Sequence, residues 1–255
     1  MDNRLKRESA FFDELVAKGS ATRSLLARFC EAFYEKGSQG RLWKSFWETT
    51  DLKGAIVLDY GCGDGDFTRM LASRGARAYG IDISPNLIER AKASVSEAGL
   101  NGSSPQFMVG DAHRTPFDDN SFDYVVGNGA LHHLDLDKAY AEIARVLRPG
   151  GKAVFQEPMY HHPLIWTLRR LTPKTHTADE QPLSLADINR ARNWFRVCKH
   201  REHFLFAVFA APAHLLGKRF ALSAIGGLDR FDELVMRALP GLRRFAWLTK
   251  LEMEK

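Results

Sequence analysis

Leu58-Asp59-Tyr60-Gly61-Cys62-Gly63-Asp64-Gly65 is the segment that most restricts what this chain can become. Glycines at alternate positions follow a short apolar run, AIVLDY (55–60), and precede FTRMLASRG, which has helical spacing and ends near Gly75. A run of that kind reads as a buried strand. Glycine lets the chain turn tightly and lets backbone approach a ligand closely. The helix beyond begins with backbone N–H groups that have no partner within the helix. The segment is therefore a strand-to-helix turn built for ligand contact.

The same alternation continues downstream. ARAYGID (76–82) is a second strand, and Ser84-Pro85 starts a helix that stops at Gly99, with Ser as N-cap and Pro at its first position. PQFMVGD (105–111) and SFDYVVGN (121–128) are strands, 136–147 is a helix, and KAVFQEP (152–158) is a fifth strand. Strands alternating with helices specify a parallel sheet covered on both faces. Upstream, residues 8–48 read as two or three helices, with Leu25, Leu26, Phe29, Cys30 and Phe33 at helical spacing and a break at Gly37 and Gly40. Downstream, prolines punctuate two short helical pieces over 159–191, 192–206 reads as a sixth strand, 207–240 is apolar and helical, and 243–255 alternates as a last strand. The expected division is a helical extension over 1–50, a ligand-binding core over 51–158, and an acceptor cap with closing strands over 159–255.

Three strand ends meet in such a sheet, and ligands of open α/β sheets bind there. Asp82 ends the second strand, 21 residues after Gly61, where a carboxylate can accept both ribose hydroxyls of an adenosine. Asp111 ends the third and can face the adenine edge. A dinucleotide fingerprint would need glycine at position 66, where Asp66 stands. Asp59, Asp64 and Asp66 around the turn would repel a pyrophosphate and suit a ligand carrying an ammonium and a sulfonium.

Over 56–157 the chain resembles the class I S-adenosylmethionine-dependent methyltransferases, close to the small-molecule branch that includes ubiquinone and menaquinone methylases. VLDYGCGDG (57–65), YGIDIS (79–84), GDAHRTPFDDNSFDYVV (110–126), LHHL (131–134) and RVLRPGG (145–151) carry the resemblance. Tyr60 stands where a small or apolar residue is commoner. The resemblance implies a Rossmann-like, doubly wound, mostly parallel seven-stranded sheet with an N-terminal helical extension and a C-terminal helical insertion or cap. It implies S-adenosyl-L-methionine as cofactor and S-adenosyl-L-homocysteine as product. Asp59, Gly61, Cys62, Gly63 and Gly65 would hold the methionine part, Asp82 the ribose, and Ile83 the adenine ring. Asp111 and Ala112 would face the adenine amino end, Asn128 the methyl donor, and Phe67 and Leu131 would be wall residues.

Methyl transfer from a sulfonium is an in-line displacement for which the protein supplies alignment and sometimes a base. The acceptor should enter over the fourth and fifth strand ends, near Tyr160, His133 and His161, and an imidazole is a side chain that could remove a proton from a hydroxyl acceptor. No HxH or HExxH arrangement accompanies the histidine pairs, so no metal is expected. EPMYHHPLIWTLRRLTPKTHTADEQPL (157–183) is either a lid on the acceptor pocket or a packing insert. Phe204, Phe206, Phe209, Leu215, Leu216 and Phe220 suit a lipophilic acceptor pocket, core packing or a membrane surface.

The formal net charge of +5 is unevenly placed. Residues 160–255 hold 16 Lys/Arg against 9 Asp/Glu, which permits peripheral membrane contact through this basic, aromatic third. No zinc finger, RNA module or base-methylation motif is present, so no nucleic acid is expected. Cys30, Cys62 and Cys198 form no CxxC pair and no apolar leader opens the chain, so a reducing, cytoplasmic location is expected, membrane-peripheral or not. The N-terminal helices leave a homodimer open. The reading is methyl transfer to oxygen or carbon of a small lipophilic acceptor. Its alternatives are C-methylation of an isoprenoid with coupled cyclisation, helped by cation–π contact, and an NAD(P)-dependent oxidoreductase.

Overall fold

The run at 55–60 forms β1 (Ile56–Tyr60), buried from Val57 onward because both faces of the sheet are covered. The computed structural model describes residues 3–18, 36–98, 104–173, 176–177 and 179–255. β2 (Arg77–Asp82), β3 (Gln106–Val109), β4 (Phe122–Asn128), β5 (Leu147–Pro158), β6 (Val197–His203) and β7 (Leu248–Glu254) join β1 in one seven-stranded sheet of order β3-β2-β1-β4-β5-β7-β6. Pairing is parallel from β3 to β5, while β7 runs antiparallel to both β5 and β6. The order reverses between β1 and β4, which opens a crevice at their carboxyl ends.

Helices cover the faces. α1 (Asn3–Lys18) and α2 (Lys36–Thr49) precede the sheet, α3 (Asp66–Ala72) and α4 (Pro85–Ala98) follow β1 and β2, and α5 (Leu136–Val146) follows β4. α6 (Pro163–Leu171), α7 (Leu185–Arg190) and α8 (Lys218–Ala238) lie beyond β5, with a 3-10 segment over Ala207–Leu216. One core face centres on Tyr60, Ile81, Leu131, Tyr140 and Phe155. The other holds Trp43, Phe46, Val57 and Leu71. A satellite cluster of Ile165, Phe204, Val208, Ile225 and Trp247 builds the lobe after β5.

Several expectations shift. α2 passes through Gly37 and Gly40 instead of breaking there. The glycines cost helix stability, but Trp43 and Phe46 anchor the helix in the core. The sixth strand is confined to 197–203, because a 3-10 turn (Ala191–Asn193) precedes it. The last strand begins only at Leu248, since Pro240 starts a 3-10 turn that ends at Phe245. The helix predicted around Leu25 to Phe33, Cys30 with it, and the stop at Gly99 lie outside the described residues. Among the described residues no helix is long and apolar enough to cross a membrane.

Candidate active site

A cavity of about 250 Å³ sits at the carboxyl ends of β1, β2 and β4. Gly61 and Gly63 floor it, Asp82, Ile83 and Ala112 form one side, and Asn128 and His133 the other. The turn beneath is held from below, because Gly61 and Cys62 donate backbone N–H bonds to the Ile81 carbonyl at 2.9 and 3.0 Å. Gly61, Gly63 and Gly65 all have positive φ, which L side chains rarely adopt. Gly65 is also closed in, since a Cβ there would lie 2.6 Å from the Phe107 ring.

Asp82 is fixed by two backbone donors. Its Oδ2 accepts from Gly63 N at 2.9 Å and its Oδ1 from Ser84 N at 3.0 Å. Each oxygen keeps a lone pair for a further donor in the cavity. Burial raises its pKa, against the lowering pull of those N–H groups. Asp59 lies under the turn, buried, accepting from Thr68 Oγ1 at 2.6 Å. Desolvation pushes it to about 7, and the nearby Asp82 charge adds to the rise.

The ring of carboxylates expected around the turn does not form. Asp64 faces Arg90 at 4.0 Å, and Asp66 pairs with Arg69 one helical turn on, both on the exposed side. Acidity at the cavity comes from Asp82 and from a residue the sequence did not mark, Glu8. Glu8 belongs to α1, which lays Leu5, Glu8 and Phe12 over the opening. Ser9 donates to the Ile83 carbonyl at 3.2 Å, and Ser84 Oγ donates to Asp13 at 2.5 Å. Ser84 also caps α4 through Leu87 N at 3.1 Å, so one hydroxyl joins lid and core.

Asp111 turns away from the cavity, which its neighbours Gly110 and Ala112 line. Its carboxylate accepts from His113 N at 2.8 Å and from His113 Nδ1 at 2.9 Å. His113 Nε2 in turn accepts from Asp135 N at 2.9 Å, so Asp111 fastens the β3 loop to the start of α5. The Tyr60 hydroxyl donates to the Ala112 carbonyl, which gives the uncommon tyrosine a role in holding that loop. Phe67 packs against Trp43 and Trp47 on the other core face, Leu131 is fully buried, and neither Cys62 nor Gly65 lines the cavity.

The histidines separate by environment. His133 faces the cavity with Nδ1 3.2 Å from Glu8 Oε2 and Phe12 edge-on at 5.4 Å. His132 is buried between two carboxylates, Glu157 on Nδ1 at 2.7 Å and Glu180 on Nε2 at 3.2 Å. Burial opposes its protonation, but the two acids outweigh it and raise the imidazole to about 9. Glu157 also accepts from the backbone N–H groups of Ala130, Leu131 and His132. Glu180 receives Arg169 at 2.9 Å and His176 at 3.3 Å. Glu157, Arg169, His176 and Glu180 thus form an ionic buttress behind the LHHL turn. These acids, with Glu8, also give the His132–His133 pair the carboxylate neighbours that no local spacing revealed, and His132, His133 and Glu180 lie close enough to share a cation. Tyr160 and His161 meet edge to face at 5.1 Å on the exposed stretch after β5 and do not line the cavity.

The family model for a methyltransferase domain matches residues 58–155. A probable chloroplastic tocopherol O-methyltransferase of Oryza sativa is 34% identical over 140 residues, covering 54% of this chain and 36% of its own. A 2-phytyl-1,4-naphtoquinone methyltransferase of Nostoc punctiforme is 36% identical over 132 residues, covering 49% of this chain and 56% of its own. The chain therefore spans between about a third and just over half of the length of these curated relatives. Geranyl diphosphate C-methyltransferase of Streptomyces coelicolor, solved with Mg2+, geranyl diphosphate and S-adenosyl-L-homocysteine, has the same fold, with TM-score 0.67 and 14% identity over 99% of this chain and 98% of that one.

Proposed function

Residues 58–155 being a methyltransferase domain of the class I S-adenosylmethionine-dependent kind, we propose that the protein transfers a methyl group from S-adenosylmethionine to a small lipophilic acceptor. The observation that carries this reading is Asp82, its two oxygens set by Gly63 N and Ser84 N at the rim of the cavity. In that position it would receive the ribose hydroxyls. Ile83 would lie against the adenine, and the backbone around Ala112 would face the adenine edge. Gly61 and Gly63 let the methionine part pass over the turn. Asn128, at the end of β4 and in the cavity lining, would neighbour the sulfonium.

The cofactor brings the reactive methyl, and the chain's own residues align the acceptor and exclude water. His133 is the group in the cavity that can take a proton from a hydroxyl acceptor. Glu8, with Oε2 3.2 Å from its Nδ1, is near enough for its charge to favour the protonated imidazole. Tyr160 and His161 stand outside the cavity lining, at the edge of the approach from β5.

An acceptor class of lipids or quinones is supported by what the relatives are named for, tocopherol and a phytyl naphthoquinone. Such acceptors partition into bilayers, so a membrane-peripheral site of action is part of the reading. No observation favours coupled cyclisation or a nicotinamide reaction. The test is a labelled-methyl transfer screen over quinone, tocopherol, isoprenoid and phenolic acceptors. Label should pass to an apolar acceptor and not in His133→Ala or Asp82→Ala. Label passing only to polar metabolites would contradict the acceptor class.

A further inference from the structure

The lobe built after β5 presents an unusual outer face. α8 buries Ala221, Ile225 and Met236, with Ile225 in the lobe's own cluster and Met236 in the main core. Two of its acids point inward: Asp232 accepts from Leu205, Phe206 and Ala207 N at 2.9 to 3.0 Å, and Asp229 accepts from Phe204 N at 3.3 Å, while the third, the part-exposed Glu233, pairs with Arg201 at 2.6 Å. What remains outside is apolar and basic. Phe220, Phe231 and Leu234 are each more than half exposed. At about 100° per residue they fall in one stripe along the helix.

Arg219, Arg230 and Arg237, also exposed, fall within about 20° of one another and flank that stripe. None of the exposed described residues of α8 is acidic. The 3-10 segment before α8 extends the apolar surface with Phe209 and Leu216, both more than half exposed, and Phe206 meets Phe231 at 6.3 Å between ring centres. On α6, in the same lobe, Arg170 lies over an exposed Trp166 at 4.4 Å. The lobe stands at the end of β5 and β6 toward which Pro158 and His203 point, the carboxyl-end side of the sheet that also holds the cavity.

We infer that this face of α8, with the preceding 3-10 segment, docks the protein on an anionic lipid bilayer. Large apolar groups beside arginines, with Asp229 and Asp232 withdrawn into the lobe and Glu233 neutralised by Arg201, match the boundary between acyl chains and anionic headgroups. A second copy of the chain fits less well. A two-fold pairing of this face on itself would set arginine rows together beside a Glu233 already paired with Arg201. The inference deepens the lipophilic-acceptor reading by naming where that acceptor would be met, and it rests on that reading only for its purpose.

The test uses the full chain with sedimenting vesicles, without acceptor. One set is phosphatidylcholine alone, and the other contains about one-third phosphatidylglycerol. The anionic set should retain the protein and the neutral set should not. Arg219→Gln, Arg230→Gln and Arg237→Gln together should weaken retention on the order of a hundredfold, and Arg237→Gln alone about fivefold. Phe220→Ser, Phe231→Ser and Leu234→Ser together should abolish it, while S-adenosylhomocysteine affinity by calorimetry stays at the wild-type value. Failure of wild-type to bind anionic vesicles overturns the inference. So does retention indifferent to both triple variants, or a dimer in sedimentation velocity that the Phe220/Phe231/Leu234 variant disperses. Vesicle binding without S-adenosylhomocysteine binding would instead leave the surface standing and remove the methyltransferase reading.

Discussion

Histidine 132 shows how one side chain ties pH to stability. Its folded value of about 9 exceeds the ordinary 6.5 because Glu157 and Glu180 overcome its burial. The folded protein holds a proton that the unfolded chain releases, so the stabilisation is complete below about pH 6.5 and fades as pH rises through about 9. A shift of that size corresponds to roughly 3 kcal/mol. Urea midpoints should fall between about pH 6 and about pH 9.5, and His132→Asn should flatten that fall. Glu157→Ala should cost about 3–5 kcal/mol, since it leaves a buried imidazolium short of one acid and three backbone donors without an acceptor. An unchanged midpoint in that variant would contradict the buttress. None of this was visible in the sequence, because 48 residues separate His132 from Glu180 and 125 separate Glu8 from His133. Asp82 was visible, because its place is set by local features, a strand end and a following Ser-Pro cap.

At the level of elements, the glycine turn is the part that tolerates least. Gly65 combines φ +79 with Phe107 and Ala91 within 3 Å of any Cβ. Gly65→Ala should cost about 2–4 kcal/mol by strain and overpacking, read as a lower denaturant midpoint. Gly63 has no neighbour within 4 Å of a Cβ, so Gly63→Ala should cost less stability and act mainly on ligand affinity. The strand–helix alternation was legible because hydrophobic period is local. The direction of Asp64 was not, since Arg90 on the next helix decides it, whereas the turn of Asp66 toward Arg69 is a local pairing within α3 that the reading passed over. The path of α2 through two glycines was hidden for the same kind of reason: tertiary packing of Trp43 and Phe46 outweighs local propensity.

Across the whole molecule, one sheet joins three zones with different tasks. β1, β2 and β4 carry the cavity, α1 covers it, and the lobe after β5 gathers apolar and basic surface on the same side. The uneven charge of the sequence becomes an oriented face, so vesicle retention should weaken as salt rises while cofactor affinity changes little. The claim beneath all of this is that the cavity receives an adenosyl sulfonium and that Asp82 grips its ribose. Calorimetric titration of the full chain with S-adenosylmethionine, beside an NADH titration, tests it most directly. One-site binding of S-adenosylmethionine, lost in Asp82→Ala with circular dichroism unchanged, is the result expected. Heat from NADH alone, or S-adenosylmethionine affinity indifferent to Asp82, would contradict it.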